Sequence, residues 1–170
     1  SLGKENSSKE TINSNIRASD TWAFFQAKNI RQTDYQLASD HLETVLATGG
    51  TSLGPEVRQS IQDKIKLYKA TSARYASEPD PQHPEDFMTG QGKKELTLQA
   101  RYWEARRDHA QRQIPNLDYS AALFQIAIVL SSVAIIATSR HVIILSLVVG
   151  AVAALLMLNG FFLFYQLPLE

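Results

Sequence analysis

Residues 117–138 read LDYSAALFQIAIVLSSVAIIAT and residues 142–165 read VIILSLVVGAVAALLMLNGFFLFY, with only Ser139, Arg140 and His141 between them. Each run exceeds the roughly 20 apolar residues a helix needs to cross a hydrocarbon core about 30 Å thick. No Asp, Glu, Lys or Arg occurs from Tyr119 to Ser139, nor from His141 to Leu169. So short a link makes the two helices antiparallel neighbours. A hairpin buried in a soluble core would need a large apolar surface to cover it, and the rest of the chain offers none. A secretory signal is excluded, because such segments lie at the other end of a chain. The reading is therefore all-α: a soluble helical region over 1–116, then a transmembrane hairpin over 117–170 with spans at 117–138 and 142–165.

The hairpin's packing faces follow from spacing. Ser146, Gly150 and Ala154 recur every four residues, and Ala127, Ser131, Ala134 and Thr138 make a similar stripe. Small side chains let backbones approach closely, which in lipid replaces the missing hydrophobic drive. Gln125 and Ser132 lie seven apart on one face. An amide in lipid costs free energy without a partner, so Gln125 is expected to face protein. Either the hairpin packs on itself, or these residues meet another subunit or line a pore, with Gln125, Ser131 and Ser132 near its lumen. Asn159 is expected at the membrane interface, where it needs no partner.

Upstream, residues 93–116 carry Lys93, Lys94, Arg101, Arg106, Arg107 and Arg112 against Glu95, Glu104 and Asp108, whereas the hairpin turn carries Arg140 alone. Positive flanks favour the cytoplasmic side, which places the soluble region and the C-terminus there. Arg106, Arg107 and Arg112 are candidates for contact with anionic lipid headgroups, each contributing on the order of 1 kcal/mol near the surface. Intrahelical pairing with Glu104 and Asp108 competes for the same arginines.

The soluble region reads as three helices folding into an antiparallel, coiled-coil-like bundle. The first covers about 8–46 and ends at Gly49-Gly50, with glycine supplying the positive φ of a helix end. Along it Ile16, Ala23, Ile30 and Leu37 recur every seven residues, with Ile12 one turn earlier, and a second stripe runs through Phe24, Lys28, Arg31, Tyr35, Leu42 and Val45. The second helix opens at Pro55, a residue suited to a first turn. Val57, Ile61, Ile65, Tyr68, Ser72 and Tyr75 then follow at spacings of three and four. It stops at 77–84, SEPDPQHP, where an acidic loop begins. The third covers 93–113, and Pro115 is expected to kink or break the chain before the first span.

The stretch 21–32, TWAFFQAKNIRQ, places Trp22 and Phe25 on one face and Phe24 on nearly the opposite one. One face can pack inside a bundle. The other is expected to meet a neighbouring subunit, so Trp22, Phe24, Phe25 and Ile30 are the candidate bundle or oligomer interface.

Composition excludes several classes. The 170 residues carry 17 basic and 17 acidic side chains and no cysteine. Zero net charge argues against nucleic-acid binding, and the missing thiols exclude disulfides and cysteine-based chemistry. His41, His83, His109 and His141 lie on separate segments without metal-ligand spacing. Gly49-Gly50-Thr51-Ser52-Leu53-Gly54 lacks the lysine of a phosphate loop. No catalytic residue, metal ligand or cofactor is assigned, and the acids Glu78, Asp80, Glu85 and Asp86 read as a solvated loop.

Residues 16–28, IRASDTWAFFQAK, resemble the signature of a family of small bacterial membrane proteins known as a domain of unknown function, whose members carry Asp-x-Trp-Ala-aromatic-aromatic-Gln-Ala-Lys. Residues 123–132, LFQIAIVLSS, resemble that family's first C-terminal span. The resemblance implies a helical soluble region followed by two spans in a bacterial inner membrane; family members commonly carry a further hydrophobic segment upstream of the soluble part, which this sequence, beginning Ser1-Leu2-Gly3, lacks. It brings no catalytic residues. The expectation is a non-enzymatic scaffold or self-associating module, with membrane lipids, further copies of itself and an unspecified membrane protein as partners; the alternative is a homo-oligomeric pore or transporter accessory.

Overall fold

The computed structural model describes residues 2–49 and 52–165. They form four α-helices and, among the described residues, no strand: α1 (Leu2–Gly49), α2 (Pro55–Ala76), α3 (Lys93–Ala137) and α4 (Arg140–Phe162). Gly50, where a positive φ was expected, lies outside the described residues. The segment read as the third helix and the first apolar run are one helix, and α3 runs through Pro115 without interruption. Of the kink or break expected there, the break does not occur. Proline removes one N–H bond, to the carbonyl four residues earlier. That carbonyl belongs to Gln111, an exposed residue, so solvent can supply the lost donor.

The chain forms two compact units, one of residues Ile16–Trp103 and one of the residues up to Asn15 together with those from Glu104 on. In the first unit α1 is met by α2 and then by the opening turns of α3, both antiparallel to it. Tyr35 contacts the Tyr68 and Tyr75 rings at 5.5 and 5.8 Å. Gln32 Nε2 donates to the Ser72 carbonyl at 3.1 Å, and Lys28 Nζ lies 3.0 Å from Glu78 Oε2. Beyond that pair α2 has ended and α3 takes over: Lys93 Nζ donates to Asn29 Oδ1 at 2.6 Å, and the Arg17 guanidinium lies 4.5 Å from the Trp103 ring. The α2 and α3 contacts thus fall on successive stretches of α1, and the opposite side of α1 is left bare.

A clamp built on Glu95 closes the turn from α2 to α3. Its carboxylate accepts from Ser77 Oγ at 2.7 Å and from the Glu78 N–H at 3.1 Å, while the Gln91 N–H donates to the Glu78 carbonyl at 2.8 Å. Gln99 Nε2 donates to the Phe87 and Gly90 carbonyls. Gly92 is required by close approach, since a Cβ there would strike the Glu78 nitrogen and Ser77 Cα. Burial pushes the Glu95 carboxyl up; the bonds from Ser77, Glu78 and its own backbone outweigh it and hold it below its ordinary value.

In the second unit the first turns of α1 run antiparallel to α3, through Lys4–Asp118 and Glu10–Arg106, each at 2.8 Å, and through Ser7 Oγ donating to Gln113 Oε1 at 3.0 Å. The α3–α4 hairpin buries small residues at seven-residue intervals, Ser120, Ala127 and Ala134 on α3 and Ser146, Ala153 and Gly160 on α4. Gly160 is needed there because a Cβ would meet Leu117 Cδ2 at 2.9 Å. Thr138 closes α3 with φ 48° and Leu163 closes α4 with φ 50°, so the turn begins at Thr138 and Arg140 already belongs to α4. Both long apolar helices are candidate membrane spans: only 17 % of the most apolar stretch of α3, and 11 % of that of α4, is buried within the chain. The core helix of a soluble protein would be mostly buried.

Candidate functional site

The surfaces that stand out are helix faces. In the first unit α1 turns Ala18, Lys28, Gln32 and Ser39 inward, all buried. The opposite side carries Ile16 (53 % exposed), Ala23, Ile30 and Leu37 (both 62 %). At 100° per residue these two sets lie nearly 180° apart. The polar and small face is inside, and the seven-residue apolar column is outside. The inward polar groups are satisfied by the Ser72 carbonyl and the Glu78 carboxylate; Ser39 Oγ is buried without a partner among the described residues.

The aromatic cluster divides across these faces. Trp22 and Phe25 are half-buried and meet edge to face at 5.4 Å, with Lys93 Nζ 5.6 Å from the Phe25 ring. Phe24 is 63 % exposed and, six residues before Ile30, stands about 120° from it round the helix. Of the interface residues read from sequence, the structure brings Trp22 and Phe25 together and leaves Phe24 and Ile30 open.

In the hairpin, Ser131 Oγ donates to the Ala127 carbonyl at 2.8 Å and shares a hydrogen bond with Ser146 Oγ, which also reaches the Ala127 carbonyl at 3.1 Å. Gly150 sits half-buried beside Ala127. Ala154 is exposed, and Ala153 takes the buried position. The reason is the period: two helices packed along their length alternate steps of four and three, so a constant step of four drifts off the contact. Gln125 and Ser132 lie on the outward side of α3, both exposed. Ser132 Oγ donates back to the Ile128 carbonyl at 3.0 Å.

Near the start of the apolar stretch, Asn6, Ser7, Glu10, Arg106, His109 and Gln113, together with Gly3, Ala110 and Phe161, line an open cleft of 420 Å³. The arginines offered for lipid headgroups are partly committed. Arg106 pairs with Glu10, and Arg107 lies 2.9 Å from Asp108 and donates to Asn15 at 3.3 Å, while Arg112 is exposed. His83 lies 4.0 Å from Asp80; His41, His109 and His141 are exposed. Among the described residues no three His, Asp or Glu side chains group as metal ligands would.

Two polar features escaped the sequence reading. Asn159 Nδ2 donates to Asn116 Oδ1 at 3.2 Å and to the Tyr165 carbonyl at 2.9 Å, while the Tyr165 N–H donates to Asn159 Oδ1 at 2.8 Å. This node ties α3 to the end of α4 around Asn116, which is 2 % exposed. The signal was an asparagine beside a glycine inside an apolar run. The other is the Glu95 clamp, signalled by two glycines just before an acidic first turn.

A family model described as Domain of unknown function (DUF4337) matches residues 1–163. No curated protein and no solved structure matches the chain.

Proposed function

The chain belongs to this family of unknown function, and on that premise we propose that it is a non-enzymatic, membrane-anchored scaffold that works by associating with copies of itself. In this reading α3 and α4 cross the inner membrane of a bacterium, with the region before them and the C-terminus in the cytoplasm. One observation carries the proposal: the bare column Ile16–Ala23–Ile30–Leu37 on α1. Apolar residues recurring every seven positions stay against a partner helix only when two helices supercoil. Left in water, the column wastes its burial; each Ile or Leu covered fully in a partner interface contributes about 1.5–3 kcal/mol. Anchoring in one membrane holds the copies parallel and raises their effective concentration, which offsets part of the cost of association.

A pore has less support. Ser131, one of its three lining candidates, spends its hydroxyl inside the hairpin. The lipid contact narrows to Arg112 and the exposed side of Arg106, because Arg107 faces Asp108.

Mass measurement of the full chain in nanodiscs tests the proposal. The expected result is a homo-oligomer that Ile30→Glu with Leu37→Glu converts to monomers, with helix content and membrane integration unchanged. A monomeric parent, or a double variant that assembles as the parent does, overturns it; a stoichiometric foreign protein on the column would reassign the partner. Because the chain has no cysteine, an Asp80→Cys variant reports orientation cleanly. It should resist impermeant thiol labels in intact cells, and ready labelling would place the soluble region outside.

A further inference from the structure

The span of α3 carries two seams on opposite sides. The inward one, Leu117, Ser120, Phe124, Ala127, Ser131 and Ala134, advances by steps of three and four and is occupied by α4 or by the start of α1. The outward one, Ala122, Gln125, Val129, Ser132 and Ile136, advances by the same alternating steps, and every member is exposed. Gln125 stands out within it. It lies eight residues past Leu117, hence roughly 12 Å along the helix and inside the hydrocarbon if the span begins there. A primary amide carries two donors and an acceptor, and lipid satisfies none of them.

We propose that this outward face is a second self-association surface, in which Gln125 of one copy hydrogen-bonds Gln125 of another within the membrane. It rests on the reading that the chain crosses a membrane and self-associates, and it names where in the bilayer the copies touch. A second copy is the occupant the chemistry selects. An amide is its own complement, donor to acceptor in both directions. Copies inserted with one topology are parallel, so the two Gln125 residues stand at one depth, and a symmetry axis along the membrane normal brings them face to face. Ala122 and Ser132 are small enough to let the backbones approach above and below the amide pair. A different membrane protein would need a polar group at that same depth.

Single cysteines in the full cysteine-free chain, oxidised with copper phenanthroline in lipid vesicles, test this. Ser132→Cys is expected to cross-link into covalent dimers, and Ser131→Cys, which points into the hairpin, to stay uncross-linked. Gln125→Leu should weaken association in bilayers roughly three- to thirtyfold, and Gln125→Asn should restore part of it. The same measurements repeated with Ile30→Glu and Leu37→Glu separate the two surfaces. Cross-linking through Ser132→Cys that survives loss of the α1 column supports the membrane contact by itself. If the parent is monomeric in bilayers, self-association fails and this contact with it. If the parent assembles yet Ser132→Cys does not cross-link, or Gln125→Leu assembles as tightly, the membrane contact alone is overturned.

Discussion

The outer face of α1 over residues 16–37 and the outer face of α3 over residues 122–136 have the same defect when judged as parts of a water-soluble protein. Both put apolar side chains outside: Ile30 and Leu37 are 62 % exposed, and Ile136 is 86 % exposed. Both hide small or polar residues inside, Gln32 and Ser39 on α1 and Ser120 and Ala127 on α3. What differs is the solvent each face requires. The apolar members of the α3 face belong to a run long enough to cross a bilayer and would be at rest in lipid, where the Gln125 amide alone would lack a partner. A narrow column flanked by Asp20, Asp34 and Gln36 cannot enter lipid and is not at rest in water. The same inside-out arrangement leaves one amide wanting a partner on α3, if lipid surrounds it, and a whole apolar column wanting one on α1.

The contrast breaks most sharply if one charge is placed on each face. Ile128→Asp should cost about 3 kcal/mol of insertion and visibly lower the membrane-integrated fraction, measured by alkaline extraction. Ile30→Asp should leave extraction unchanged and act on assembly alone. Equal effects on extraction would erase the distinction between the faces.

Next in size, Gly160→Leu forces α4 away from Leu117 and Asn116, where a Cβ already meets atoms at 2.9–3.2 Å. A loss of about 1–3 kcal/mol is expected from overpacking, read as a lower unfolding midpoint in detergent. The same variant should leave cross-linking along the α1 column unchanged.

The Glu95 clamp gives a pH-dependent effect confined to the first unit. Its carboxyl is held below the ordinary value of 4.5. A depressed folded value means the clamp's contribution is fully present above about pH 4.5 and is lost as the pH falls through the lower folded value. Glu95→Gln should remove roughly 1–2 kcal/mol at neutral pH and flatten the acid limb of the stability profile. An unchanged acid limb would show that the clamp does not set it.

The smallest effect belongs to the hairpin turn. Thr138 is a β-branched residue at φ 48°, a conformation that glycine adopts without penalty. Thr138→Gly should raise stability by about 1 kcal/mol, and a loss there would show that the threonine side chain holds the turn.

The hairpin was legible in the sequence because two long uncharged apolar runs stand three residues apart, each long enough to cross a bilayer as a helix. The seven-residue column on α1 was legible as a pattern, but its direction was not. Which side faces in depends on whether Lys28 finds Glu78 and Gln32 finds the Ser72 carbonyl, partners 50 and 40 residues away. Ala153 rather than Ala154 lines the hairpin for a similar reason: two alanines in succession look alike until the partner helix selects the period. Pro115 lacks an N–H and crowds the carbonyl four residues before it, which on sequence favours a break, yet α3 continues through it.

The sequence by itself determined three things: the all-helical class, the paired apolar runs and the absence of thiol chemistry. These follow from composition and local periodicity, which act over a few turns. Only the tertiary structure decided that α1 faces its polar side inward, that α2 and α3 contact α1 on successive stretches, and that Gln125 points away from α4. Each of those outcomes depends on which distant side chains meet, and a linear pattern carries the faces of a helix without saying what stands opposite them.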